Sequence, residues 1–389
     1  MIQLTNKADC CGCTACVNIC THQAISLKTD TEGFLYPTVN MSLCTNCNLC
    51  DKVCPIIARK NANNQANQKA LFAARHKDNE ILLNSASGGA FSALATIVLN
   101  KGGVICGVEY SSSMEVRHAF AESFEEYKRF RGSKYVQSNL NDTFIKIKSY
   151  LKADRYVLFV GTPCQVEGLQ LFLRKSYDKL LTVDLVCHAV PSPLIFQDYV
   201  SMINKKMKRK LTGITMRDKK FGWSHTFAYR YFFNNGTNIC NPSQISNWGR
   251  VYFSQLVNRP SCHECKFTNL NRPGDFTLAD FWDDAHNRPD LYSTQGTSLI
   301  LINSEKGMVL LNELNTYMDM WSITEKEALQ PCLLKPTPIS PSRKKFWTYY
   351  HLFGFHFVYW KFFTDSYYHR SKQLIKKVLL ALHLWEKNV

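Results

Sequence analysis

Two cysteine runs of identical spacing open this chain, and they constrain its fold more than any other feature. Cys10, Cys13, Cys16 and Cys20 form the first CxxCxxCxxxC run, and Cys44, Cys47, Cys50 and Cys54, followed by Pro55, form the second. Each member of the second lies 34 residues after its counterpart, so the pattern is an internal repeat of ligands. A CxxCxxC loop wraps three thiolates round one face of a cubane. The fourth cysteine follows a helical turn, points away and reaches the neighbouring cluster. The spacing predicts two 4Fe-4S clusters, one on Cys10, Cys13, Cys16 and Cys54, the other on Cys44, Cys47, Cys50 and Cys20. Paired zinc sites are the alternative, but they join two CxxC knuckles and need no third cysteine so close by.

The runs resemble those of bacterial two-cluster ferredoxins over residues 1–60, with Thr21 where that family usually has proline. Cys11, beside Cys10, reads as a non-ligand. Sixteen cysteines in 389 residues would also suit a secreted disulfide scaffold. The first residues hold no apolar signal run, and a chain of this length needs no disulfides to build a core. The expected setting is a reducing, cytoplasmic compartment with metal-bound thiolates. No apolar stretch reaches the roughly 18 residues of a membrane-spanning helix.

Residues 61–80 read as a polar linker, after which strand and helix signals alternate. Residues 85–100 carry a Gly-Gly pair at a helix start, with Phe91, Leu94 and Val98 at helical spacing. Residues 103–110, 156–160 and 181–187 read as buried strands, and helices follow Asp142, Pro163 and Pro193. This order predicts an α/β fold with a parallel sheet covered by helices. Residues 224–233 alternate in strand fashion before Asn234-Asn235-Gly236, which marks a β-rich insertion. The expected parts are a ferredoxin-like domain over 1–60 and two parts of one α/β domain over 81–210 and 211–340. A basic aromatic helical tail over 341–389 completes the chain.

Cys164 and Cys187 fall at the ends of neighbouring strands, the edge where open parallel sheets bind ligands. Cys262 and Cys265 form a separate CxxC loop. Together they make a candidate four-thiolate site, with zinc as a rival occupant and buried, unliganded thiols as the plain alternative. RGSKYVQS (131–138), GTPCQVEGLQLFL (161–173), TVDLVCHAVPSP (182–193), PSCHECKF (260–267) and LNRPGDFTLADFW (270–282) resemble the family of coenzyme F-420 hydrogenase/dehydrogenase beta subunits. The resemblance is to bacterial members with an N-terminal ferredoxin domain, often associated with polysaccharide biosynthesis. It implies an FAD-binding α/β domain with its own 4Fe-4S cluster on Cys164, Cys187, Cys262 and Cys265. Ala189 and Asp283-Asp284 depart from the glycines usual in that family.

No GxGxxG and no P-loop occurs. Ser87, Gly88 and Gly89 at a helix start offer backbone N–H groups to a phosphate, or form an ordinary cap. Ser133, Lys134 and Tyr135 supply a hydroxyl, a cation and a ring, or a solvated turn. Gly161, Thr162 and Pro163 approach either the flavin or the cluster. Asp280 accepts from a ribose or flavin group, or caps a turn. His188 is the candidate proton donor, with His263 behind it and a backbone hydrogen bond as the plain role of each.

The net charge is +16, of which residues 331–389 carry +8. Aromatic residues from Phe346 to Tyr368, then Leu374, Ile375, Val378, Leu379 and Leu382 beside Lys372, Lys376 and Lys377, suit peripheral contact with an anionic membrane or packing on the core. No nucleic-acid motif accompanies the charge, so nucleic acid is not an expected partner. The expected function is an iron–sulfur flavoprotein oxidoreductase. It would pass electrons between a redox partner protein or reduced ferredoxin, the clusters, FAD and a small-molecule substrate. The alternative is a non-catalytic electron-transfer subunit of a larger complex; a scaffold without flavin is the third reading.

Overall fold

The apolar runs that read as buried strands meet in one sheet. The computed structural model describes residues 2–59, 66–223, 228–242, 248–282 and 288–364. Its strands are β1 (Ile25–Thr29), β2 (Leu35–Val39), β3 (Ala70–His76), β4 (Val104–Tyr110), β5 (Val116–Ala121), β6 (Val157–Gly161), β7 (Leu180–Leu185), β8 (Leu211–Thr215), β9 (Arg230–Phe233), β10 (Asn238–Cys240), β11 (Phe276–Asp280), β12 (Ser298–Ile302) and β13 (Met318–Ser322). Eight of them make a sheet in the order β13-β3-β12-β11-β7-β6-β4-β5.

The fold is α/β, but the sheet is mixed rather than parallel. β4, β6, β7 and β11 run parallel, and every other pairing in the sheet is antiparallel. Connection length explains part of this: residues 111–115 between β4 and β5 are too few for a crossover. Alternate residues face opposite layers, as strand geometry requires. Ile105 and Leu158 pack under the helix Ala90–Asn100, whereas Cys106, Val157 and Phe159 pack under the helices Thr143–Lys152 and Pro163–Leu173.

The linker expected over 61–80 is shorter than it reads. Residues 61–65 lie outside the described residues, but from Ala70 the chain is β3, paired on both sides by β12 and β13. The helix Asn79–Leu83 follows at once. The β-rich insertion is a three-stranded sheet, β10-β9-β8. It packs on the helix Pro193–Met207 and on Phe346, Trp347 and Val358 of the helix Arg343–Phe363. Tail residues 365–389, including Leu374 to Leu382, lie outside the described residues. No helix among the described residues is long and apolar enough to cross a membrane.

The cysteine-rich N-terminal module is fastened to this body by charged side chains. Arg343 pairs with Glu32 of the β1–β2 turn, and Arg59 pairs with Glu167. A second fastening lies inside the body. Arg272 is 3% and Asp184 0% exposed; Arg272 Nε donates to Asp184 Oδ1 at 3.0 Å, and Gly274 N donates to Asp184 Oδ2 at 2.8 Å. Arg272 Nη1 also donates to Phe267 O at 2.7 Å, which ties the loop after Cys265 to the end of β7. Asp184→Ala leaves this buried guanidinium without a countercharge. It should cost about 3–5 kcal/mol, read as a lower urea midpoint. A midpoint unchanged within error contradicts the keystone role.

Candidate metal centres and an anion-binding cavity

The internal repeat is written in the backbone as well as in the ligands. Gly12 and Thr14 adopt φ of +74° and +62°, and Asn46 and Asn48, their counterparts in the second run, adopt +54° and +58°. Such reversals turn successive N–H groups toward the concave side of a loop, where they face anionic sulfur. The short helices Ala15–Ile19 and Leu49–Lys52 then carry the chain away.

The side chains are placed as crossed pairing would require. One cavity is lined by Cys44, Cys47 and Cys50, and the fourth thiol in it is Cys20 from the first run. Cys16 lies within electrostatic reach of Cys10 and Cys54, and Cys13 of Cys16 and Cys54. Burial, then the charges of Cys10 and Cys54, push the Cys16 thiol up. Backbone N–H groups meet the sulfurs: Ile2 N lies 3.3 Å from Cys50 Sγ, Val17 faces Cys16, and Ile57 and Ile56 face Cys54. This donor set suits thiolates on a cationic core.

Cys164, Cys187, Cys262 and Cys265 line one cavity. Thr162 caps the helix Pro163–Leu173 and holds its hydroxyl 3.2 Å from Cys164 Sγ. Cys187 follows the end of β7, and the turn Pro260–Glu264 carries Cys262 and leads to Cys265. Burial and the neighbouring thiols push Cys262 up to about 12 and Cys265 up to about 11, and raise Cys187 well above the ordinary thiol value. Val190 N points at Cys262 Sγ from 3.5 Å. Among the described residues, no three His, Cys, Asp or Glu side chains converge closely enough for a single ion. Zinc draws four ligands to one centre at about 2.3 Å. A cubane, which offers a separate iron to each thiolate, spreads its ligands wider.

Cys11, which sequence spacing leaves as a bystander, joins two of these groups. It is buried and hydrogen-bonded through sulfur to both Cys13 and Cys164. Gly168, one turn beyond Cys164, lets the helix press on the same place: a Cβ there would lie 3.0 Å from Cys13 Sγ. His188 also lines the third cavity. Its Nδ1 lies 3.5 Å from Cys332 Sγ, and burial, then His263, lower its pKa. His263 holds the carbonyl of Thr337 at 2.9 Å.

A separate cavity of about 470 Å³ is lined by Arg131, Ser133, Lys134, Arg217, Lys219, Lys220 and Arg230, with Asp218 as its carboxylate. Lys134 Nζ donates to the carbonyls of Arg129 and Arg131, and Lys219 Nζ to those of Leu82 and Ser87. Burial lowers both to about 7. Among the described residues neither pairs with a carboxylate, and the buried Arg131 Nε and Arg217 Nη2 have no hydrogen-bond partner. Such a cavity has the charge and the free donors for a phosphate-bearing ligand.

The expected flavin contacts divide around this cavity. Ser133 and Lys134 line it, while Tyr135 and Asp280 stand behind, accepting from Arg217 at 3.2 and 2.8 Å. Gly161, Thr162 and Pro163 belong to the cysteine side. Ser87, Gly88 and Gly89 do not line the basic cavity, although Ser85 and Ala86 do. Ser87 donates to Thr297 O, and a Cβ at Gly88 would lie 2.2 Å from Ala74 O, so the glycines serve close packing on β3 and β12.

Residues 71–144 and 154–326 match the models of the coenzyme F420 hydrogenase/dehydrogenase beta subunit, N-terminal and C-terminal parts. The chain belongs to this family. Residues 9–58 match, and are, a 4Fe-4S dicluster domain. One of the subunits of the F420H2 dehydrogenase of Methanosarcina mazei is 27% identical over 228 residues, 56% of this chain and 64% of that protein. The match thus spans less than two thirds of the relative's length. A chain of the F420-reducing [NiFe] hydrogenase complex from Methanosarcina barkeri aligns over 69% of this chain and 86% of its own, at 18% identity and a TM-score of 0.45.

Crossed pairing makes a specific prediction. Cys20→Ser lies in the first run, yet it should remove the iron held by Cys44, Cys47 and Cys50, a loss of about four irons per chain. The paramagnetic signal of the first group should persist on reduction; its disappearance in place of the second contradicts the pairing.

Proposed function

We propose that this family member is an iron–sulfur electron-transfer subunit that holds FAD in the basic cavity and works beside a partner protein in a hydrogenase- or dehydrogenase-like complex. The observation that carries the flavin is the cavity's unpaired positive charge among the described residues. Two ammonium groups are held there against carbonyls, with two free guanidinium donors beside them. When bound, the clusters supply one-electron transfer, and FAD supplies the exchange between one- and two-electron chemistry.

The residues have separable tasks in this reading. Lys134, Lys219 and Arg131 neutralise and orient a pyrophosphate. Asp280 fixes Arg217, which lines the cavity and keeps its buried Nη2 without a hydrogen-bond partner. The three sulfur groups succeed one another through close side-chain neighbours, Cys50 beside Cys16 and Cys11 between Cys13 and Cys164. Cys47 is exposed, so the partner protein or a reduced ferredoxin approaches from that side. An exposed thiolate ligand also calls for a reducing, cytoplasmic setting. The partner carries the substrate site. The polysaccharide setting expected from the resemblance has no selective feature in these cavities and is not part of the proposal.

The test is FAD binding to the anaerobic chain as pH rises. Both lysines carry charge below about 7 in the free cavity, and an anion favours their charged form. Affinity should be greatest below pH 7 and fall above it, by up to about tenfold per unit for each lysine that must take up a proton. Lys219→Met should weaken binding and flatten the profile. Binding that is independent of pH, or no binding at all, contradicts the proposal.

A further inference from the structure

Arg259 stands immediately before the turn that carries Cys262, yet its side chain reaches the first sulfur group. It is 1% exposed. Its Nε donates to Cys10 O at 2.7 Å, Nη1 to Gln137 Oε1 at 2.9 Å, and Nη2 to Leu35 O at 2.9 Å; Nη2 also lies 3.4 Å from Cys10 Sγ. The guanidinium rests over the rings of Tyr36, at 4.4 Å, and Phe34, at 5.3 Å. Gly12 leaves room for it, since a Cβ there would lie 2.8 Å from Nη1.

Every oxygen in this shell is neutral, and among the described residues no carboxylate pairs with Arg259. A buried guanidinium cannot shed its proton as a buried lysine can, so its charge must be met by an anion. The anion within reach is the Cys10 sulfur, and with it whatever net negative charge the four-thiolate group carries. The main chain of the same residue supports the third group: Arg259 N donates to Val190 O, and Cys262 N donates to Arg259 O, each at 3.0 Å.

We infer that Arg259 is the fixed countercharge of the cluster on Cys10, Cys13, Cys16 and Cys54, and that it is the positioning residue that raises that cluster's reduction potential. Reduction adds one negative charge, and a buried cation against the ligand sulfur favours that state. The inference rests on the reading of these four cysteines as one cluster's ligands.

The test is a redox titration of the anaerobic full-length chain followed by paramagnetic resonance. Arg259→Gln should lower the midpoint of the first cluster alone, by about tenfold in the reduced-to-oxidised ratio at fixed potential, which is 59 mV for a one-electron couple. Arg259→Lys, which keeps the charge, should recover part of that shift. Gln137→Glu keeps the contact with Nη1 but pairs the cation with a carboxylate, so it should also lower the midpoint; it decides the matter if Arg259→Gln loses iron. First-cluster midpoints unchanged in iron-replete Gln137→Glu, or equal in Arg259→Lys and Arg259→Gln, overturn the inference. A wild-type chain without the first cluster's signal overturns the underlying ligand reading instead.

Discussion

Thiols do not gather without a reason. Burial and the like charge of its neighbours raise the pKa of Cys16, and the same two causes raise Cys187, Cys262 and Cys265. Left unliganded, each group is a set of weak hydrogen-bonding hydrophobes that forfeits better packing. Given a cationic core, the same set becomes a cage, and its backbone N–H groups already point at sulfur. The rest of the structure is arranged to hold these cages shut.

Two buried arginines do much of that holding, in different ways. Arg272 meets a carboxylate, Asp184, and so ties the CxxC loop to the strand that leads to Cys187. Arg259 meets no carboxylate among the described residues and lies against a ligand sulfur instead. Between them the helix Pro163–Leu173 carries Cys164 on one turn and presses Gly168 against Cys13 on the next. The ferredoxin-like module is therefore joined to the α/β body at its ligands, where close approach serves electron transfer.

The grouping of the thiols was legible in part in the sequence, because spacing constrains it. The placing of Cys20 beside Cys44, Cys47 and Cys50 is what the repeat predicts, and the meeting of Cys164 with Cys187 is what adjacent parallel strands predict. Gly88 and Gly89 left two roles open because a glycine pair signals close backbone approach without saying to what; the sheet is the near neighbour of both. β3 was lost in an apparent linker because a short strand beside a polar run lacks its partners in sequence; β12 and β13 lie more than 200 residues away. Lys219, Arg217 and Arg259 could not be read at all, since their meaning lies in what surrounds them after folding.

The central claim is that twelve of the sixteen cysteines hold three cubanes. Quantification of iron, acid-labile sulfide and zinc in the anaerobically purified chain tests it most directly. The account predicts about twelve irons and about twelve sulfides per chain, with no zinc. About eight irons, or zinc in place of the last four, would contradict the third centre.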